Sequence, residues 1–355
     1  DADPWLLNSE NGTIDLRTGK LRPHRREDLI TKIVPAAFDP AAGCPRFDRF
    51  IQEVMGDRRA LVEFLQKAIG YTLTGIDSAR CMFFLHGTGA NGKSTFVNLF
   101  EHLLGDYARS TPVHTLQQKK NDSSVSDDLA RLRGARLVTA SEVEEGRKFD
   151  VALLKRLTSG GDSITARHLY GKFFQFRSTM KLWIPTNHKP KISGSDEAIW
   201  DRIHLVPFDQ YFSPGERDPG LSDQLKSELP GILNWAIRGC LAWQREGLKA
   251  PEEVRVATDS YRSEMNELGH FIEECLVLEP SARTSSSDMS HSFTRWAQDN
   301  GATQVGQPEL KRRLEAAGIH YLKSGSFRGW RGCRLISSHG NAVGTNNRIE
   351  ALCVS

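Results

Sequence analysis

No stretch of the 355-residue chain is apolar for the ~18 positions that a membrane-spanning helix needs. No charged, then apolar, then small-residue leader opens it either, so a secretory signal is not expected. Cysteine is scarce. The six are Cys44, Cys81, Cys240, Cys275, Cys333 and Cys353, and no two form a CxxC pair. That removes zinc ribbons and dithiol redox motifs and leaves free thiols in a reducing cytoplasm as the expectation. An excess of one charge is also missing. The 47 Lys and Arg nearly cancel 44 Asp and Glu, leaving +3. A nucleic-acid partner must therefore be argued from local clustering. There is no internal repeat. Asp1-Ala2-Asp3-Pro4 replaces an initiator Met and reads as an entry point into a longer protein.

What is present is ordered by changes of period. The first ~40 residues read as short strands separated by Asn11-Gly12 and Thr18-Gly19 turns. Residues 46–69 read as helical: Phe47, Phe50, Ile51 and Val54, then Leu61, Phe64, Leu65 and Ile69, recur at helical spacing until Gly70 stops the pattern. From Arg80 to Phe208 short continuous apolar runs appear at Cys81–Leu85, Leu137–Ala140, Met180–Ile184 and Ile203–Phe208. Such runs suit strands buried on both faces. With helical stretches at Ser94–Leu104 and Val151–Leu157 between them, they predict an α/β fold with a parallel sheet. Helical spacing returns over 221–248 and over Ser260–Leu276. A helix around His291–Gln298, another around Pro308–Ala317 and strands at Ile319–Leu322 and Trp330–Ile336 then suggest a winged helix, with Ser324–Gly329 as the wing. The expected division is 1–75, 76–215, 216–262, 263–336 and a polar tail, 337–355.

The most specific motif is Gly87-Thr88-Gly89-Ala90-Asn91-Gly92-Lys93-Ser94-Thr95, which fits GxxxxGK[ST] between a strand and a helix. Glycines let the backbone wrap a phosphate. Successive N–H groups and the helix N-terminus give a positive field. Lys93 should reach the β- and γ-phosphates of ATP, and the Ser94 hydroxyl should hold Mg²⁺. A carboxylate is expected at the end of another strand. "RLVTASEVEEG" offers Glu142 first, then Glu144 and Glu145; a solvated acidic loop would read the same way. "KLWIPTNHKP" ends a third strand in Asn187, a candidate γ-phosphate sensor, though Asn before a Pro-containing turn is also ordinary loop chemistry. Arg202 precedes the last strand. It is either a transition-state arginine offered to a neighbouring subunit or a surface ion-pair residue. In "SGGDSITARHLYGKFFQFRSTMKLW" two runs flank Tyr170-Gly171-Lys172 and read as a β-hairpin with Lys172 near its tip and Arg167, His168 and Tyr170 close by. This basic, aromatic surface suits single-stranded DNA, or is simply an exposed hairpin. Lys311, Arg312, Arg313, Arg328 and Arg331 cluster on the winged-helix region, a pattern found in duplex binders and in solvated faces alike.

In that order, "NGTIDLRTGKL", "LQKAIGYTLTG", "GTGANGKST", "LARLRGARLVTASEVEEG", "FRSTMKLWIPTNHKP" and "DEAIWDRIHLVPF" resemble a superfamily 3 helicase of the AAA+ class. More narrowly, the set is similar to the helicase part of phage and plasmid primase-helicases related to the poxvirus replication NTPase. The resemblance implies an AAA+-like P-loop core between a small N-terminal region and a helical linker with a winged-helix-like domain. It also implies a hexameric ring with ATP at subunit interfaces, 3′→5′ movement on single-stranded DNA, an upstream primase or primase-polymerase module and a bacterial host cytoplasm. It assigns the loop to Gly92, Lys93 and Ser94, the acid to Glu142, the sensor to Asn187, the finger to Arg202 and the DNA hairpin to Arg167–Lys172. Two departures stand out: Ser141 occupies a position where relatives carry a second carboxylate, and Asp201 precedes Arg202 where the family often has Arg. Asp201 is expected to orient Arg202 through an ion pair. The rivals are an origin-binding initiator using ATP as an assembly switch, a P-loop kinase and a mobile-element defence ATPase.

Overall fold

The alternating runs of the first residues, broken at the two Gly turns, form an antiparallel sheet of β1 (Leu6–Ser9), β2 (Gly12–Asp15) and β3 (Lys20–Arg22). The computed structural model describes residues 1–118, 127–141, 148–192, 197–302 and 304–336. Two helices follow, α1 (Pro45–Met55) and α2 (Arg59–Thr72), each burying the apolar face that its spacing predicts. Gly70 does not stop the second helix but lies inside it. A Cβ there would come within 2.0 Å of the Cys240 backbone nitrogen, so glycine serves helix–helix contact rather than termination.

The central sheet is built from β4 (Met82–His86), β5 (Ala108–Pro112), β6 (Leu137–Ser141), β9 (Lys181–Thr186) and β10 (Ile203–Pro207), all parallel, in the order β10-β4-β9-β6-β5. Between them run α3 (Lys93–Leu104), α4 (Asp127–Arg131), α5 (Val151–Leu157), the hairpin β7 (Ser163–Ala166) with β8 (Phe174–Arg177), and α6 (Glu197–Trp200). After the sheet come α7 (Leu221–Ser227), α8 (Leu229–Glu246) and α9 (Glu252–Glu264). Successive strand residues enter opposite cores. Phe83, Leu85 and Trp183 pack with α1, α2, α3 and α8, whereas Met82, Phe84 and Leu182 pack with α5 and Tyr261 of α9. This two-sided burial is why the runs read as continuous rather than alternating. The α/β class with a parallel sheet and helices is the one the sequence predicts.

The carbonyls at the C-terminal end of α2 are met by two buried cations instead of water. Arg136 donates to Leu73 O at 2.5 Å and to Leu6 O at 2.7 Å. Lys181 donates to Thr74 O at 2.5 Å and lies 4.5 Å over the Tyr71 ring. Burial pushes Lys181 down to about 7. Arg136 immediately precedes β6 and Lys181 opens β9, so they tie the helix to the base of both strands.

A second compact unit begins at Asn266. It contains α10 (Glu267–Cys275), β11 (Leu276–Ser285), α11 (Ser286–Asp299), α12 (Gln307–Ala316), β12 (His320–Ser324) and β13 (Phe327–Leu335), with sheet order β11-β13-β12. The winged-helix pattern is therefore extended by β11, which the sequence did not suggest. The expected helix over Ser260–Leu276 is two helices, divided where Asn266 caps α10 by accepting from Gly269 N at 3.0 Å. The expected wing at Ser324–Gly329 is mostly strand: Ser324 pairs with Phe327, leaving only Gly325 and Ser326 as the turn.

Candidate nucleotide and nucleic-acid sites

β4 is a central strand, and the chain turns sharply after His86 because the next residues can adopt left-handed backbone. Gly89, Ala90 and Gly92 have φ of +111°, +49° and +81°. A run of this kind turns successive N–H groups into one concavity, an anion nest. At Gly87 a Cβ would strike Asn91 Nδ2 at 2.1 Å and Phe208 O at 2.3 Å, so close approach selects glycine there. Asn91 holds the loop against the residue after β10, the other neighbour of β4, by donating to Phe208 O at 3.1 Å.

Lys93, the first residue of α3, is buried. Its ammonium donates to Gly87 O at 2.6 Å, Asn91 Oδ1 at 2.9 Å and Asn187 Oδ1 at 3.0 Å. Burial pushes it down to about 8. Asn187 follows β9, the strand beside β4, which explains how residues 94 positions apart meet. Thr186 shapes that turn by bonding to the backbone of His188. Ser94 is exposed at the start of the helix, and Thr95 is half-buried beside it. The cradle, the lysine and the exposed hydroxyl fit a triphosphate with its metal ion. β6 ends at Ser141 on the same edge of the sheet; Glu142, Glu144 and Glu145 lie outside the described residues.

Beside the loop is a cleft of about 240 Å³, walled by Phe50 and Val54 of α1, by Ala90 and Gly92, and by Phe212 and Arg217. Phe212 N donates to Ala90 O at 2.9 Å, which fixes this wall to the loop. Sequence reasoning placed Ala90 and Gly92 in the loop but missed Phe50, Val54, Phe212 and Arg217. Phe50 and Val54 carried only a core signal, and nothing local distinguishes an apolar side chain at a cleft from one in a core.

Arg202 is placed elsewhere. It lies just before β10, at the end of the sheet opposite the phosphate loop, and its carbonyl accepts from Met82 N at 2.7 Å. The strand Met82–His86 sets the two ends about 13 Å apart at ~3.3 Å per residue. Arg202 is half-buried, donates to Ala198 O, and leaves its Nε buried without a partner among the described residues. The expected ion pair with Asp201 is not formed; the guanidinium turns back to the helix carbonyl instead.

The hairpin tip is exposed. Tyr170 is 99% accessible at φ +61°, and Leu169 and Phe173 are also open. The Arg167 guanidinium lies 5.0 Å over Phe173. His168 stacks on Phe174 at 5.4 Å, and Asp127 accepts from Leu169 N at 3.1 Å. Lys172 is exposed at the tip. In the second unit Arg312 and Arg313 both donate to Glu309, at 2.7 and 2.8 Å, and Lys311 sits 4.1 Å over Tyr321. Arg328 and Arg331 are exposed on β13.

Strand order, glycine loop and lysine–asparagine contact together define a P-loop α/β domain. Residues 1–56 match the family described as D5 N terminal like, and residues 85–202 match a family of unknown function, DUF5906. The chain is 30% identical over 289 residues to "Putative helicase 022R" of Frog virus 3, covering 75% of this chain and 30% of that protein. It is 26% identical over 325 residues to "Putative helicase L207/L206" of Acanthamoeba polyphaga mimivirus, covering 84% of this chain and 34% of that one. It is 24% identical over 371 residues to "Putative primase C962R" of African swine fever virus, covering 95% of this chain and 38% of that one. The chain is thus similar to viral proteins named as putative helicases and a putative primase, begins with a D5 N terminal like region, and spans about a third of the length of these relatives. In fold it is similar to the apo structure of the NrS-1 C terminal region, with TM-score 0.52 and 11% identity, covering 93% of this chain and 83% of that one. Among the described residues no helix is long and apolar enough to cross a membrane.

Proposed function

We propose that this chain is the motor part of an ATP-dependent replicative DNA helicase of superfamily 3. It works as a hexameric ring moving 3′→5′ on single-stranded DNA, joined to a primase or primase-polymerase module, for a phage, prophage or plasmid in a bacterial cytoplasm. The observation that carries the reading is the contact of Lys93 with Asn187: a phosphate-loop lysine and a sensor amide from the adjacent strand converge on one point. Both have a polar group ready for a γ-phosphate, and each now satisfies the other. The cleft beside the loop sets the apolar surfaces of Phe50, Val54 and Phe212 among charged residues such as Arg46 and Arg217, a mixture suited to a nucleobase. Mg²⁺, held by Ser94 and the carboxylate expected at Glu142, would neutralise phosphate charge. Lys93 would bind the phosphates, the loop amides would orient them, and Asn187 would position water. Arg202, remote from its own chain's loop, would serve a neighbour's nucleotide. The Arg167–Lys172 hairpin would grip single-stranded DNA by charge and stacking.

The test is ATP hydrolysis with and without single-stranded DNA, on the wild type and Lys93→Ala. DNA should stimulate turnover, and the variant should lose it by at least ~100-fold. Turnover indifferent to DNA would reject the motor reading and leave a nucleotide-switched initiator or another P-loop enzyme.

A further inference from the structure

The basic residues of the second unit divide into two sets with different electrostatic fates. On α12, Arg312 and Arg313 converge on one carboxylate, Glu309, and hold it down at about 2. Lys311 lies 3.9 Å from Glu315 and is stacked on Tyr321. The helix that the sequence nominates for DNA thus has its charge largely answered from within.

The sheet is different. Its register sets Arg331 directly opposite Arg283 on one side and His320 on the other. These three residues form a row across β11, β13 and β12, about 10 Å long at ~4.8 Å per strand. All three are exposed, and none has an acidic partner among the described residues. The opposite face carries Thr284, Trp330 and Tyr321 toward the core, so the row points outward. Phe327 shares the outer face. A Cβ on Gly329 would meet its Cζ at 2.6 Å, so the ring packs against that glycine, and the Arg283 guanidinium lies over the ring at 5.9 Å. Like charges placed directly opposite in a sheet oppose folding. An external polyanion accounts for such a row; packing does not.

We propose that the outer face of the β11-β13-β12 sheet binds single-stranded nucleic acid, with Arg283, Arg331 and His320 along the phosphates and Phe327 under a base. An exposed sheet face with an aromatic ring beside cations suits an unpaired strand, whose bases are free to stack. The surface is independent of the ATPase reading, since it involves none of those residues.

The experiment uses the full chain without nucleotide. A short bromodeoxyuridine-substituted oligonucleotide is photo-crosslinked, and adducts are mapped by mass spectrometry. An adduct on the peptide containing Phe327 is expected. Its yield should fall at least about fivefold in Arg283→Ser/Arg331→Ser, which removes two phosphate contacts. The wild-type adduct needs no variant to fold, and the substitutions relieve repulsion. Absence of an adduct at Phe327, or a yield indifferent to the two arginines, overturns the proposal. So does a duplex of equal length that competes better than the single strand, because that would return binding to a groove-reading surface.

Discussion

Lys93 carries its charge in a setting that does not favour it. Three neutral oxygens surround the ammonium and no carboxylate is among them. Burial lowers it to about 8, from 10.5. Below about pH 8 the folded and unfolded chains both hold the proton, and the full penalty of burial is present. Between about 8 and 10.5 only the unfolded chain holds it, so stability recovers as pH rises through that window. A phosphate at the loop would raise the lysine again, so nucleotide binding should draw in a proton. Calorimetry in buffers of different ionisation heat should give greater proton uptake at pH 8.5 than at pH 7. Equal uptake at both would mean that the phosphate does not reach Lys93. The motif made this lysine legible in the sequence. Its environment was not legible, because Asn91 and Asn187 act through geometry that only the closed loop and the neighbouring strand create.

Among the elements, α1 forms the wall of the cleft yet lacks a cap of its own: the Cys44 side chain accepts no backbone N–H of the first turn and donates instead to Asp48 Oδ1 at 3.7 Å. Glu228, at the start of α8, accepts from Arg46 N at 3.0 Å and Phe47 N at 2.9 Å instead. Glu228→Ala should lower stability by about 1–2 kcal/mol, as loss of a cap does, and should also weaken nucleotide binding through α1. Denaturant unfolding measures the first; an unchanged midpoint would show that water replaces the carboxylate. The contact of α2 with α8 rests on glycine. A Cβ on Gly239 would stand 1.9 Å from Gln66 O, matching the approach at Gly70. Gly239→Ala should therefore cost about 3 kcal/mol or more, read as a fall in melting temperature, despite alanine's better helix propensity. A rise instead would mean that the helices separate freely. Helical and two-sided strand patterns were plain in the sequence because burial imposes them. β5 was missed: it is an edge strand, exposed at alternate positions, and ends in Pro112. β11 was missed because Pro280 and a register shift after Leu278 interrupt its alternation. Gly70 was misread because a glycine that ends a helix and one that admits another helix look alike in one sequence.

For the molecule as a whole, the decisive geometry is that Lys93 and Arg202 stand at opposite ends of the same sheet. A chain that needs both for one hydrolysis event cannot supply both itself. The buried, unpaired Nε of Arg202 and the single side-chain bond of its guanidinium to a helix carbonyl would favour exchange of that partner for a phosphate. Lys93→Ala and Arg202→Ala should each abolish DNA-stimulated turnover, by at least ~100-fold. Mixed in equal amounts they should recover part of it, because some interfaces then pair an intact loop with an intact arginine. In a randomly mixed assembly about one interface in four is whole, so recovery should approach a quarter of the wild-type rate if sites fire independently. It should fall well below that if they must fire in sequence around a ring. Sedimentation of the same mixture with a nucleotide analogue would show whether the two variants share one particle. Co-assembly with Arg202→Ala alone retaining the wild-type rate would place the arginine outside the reaction, its role reduced to joining the short α6 to β10.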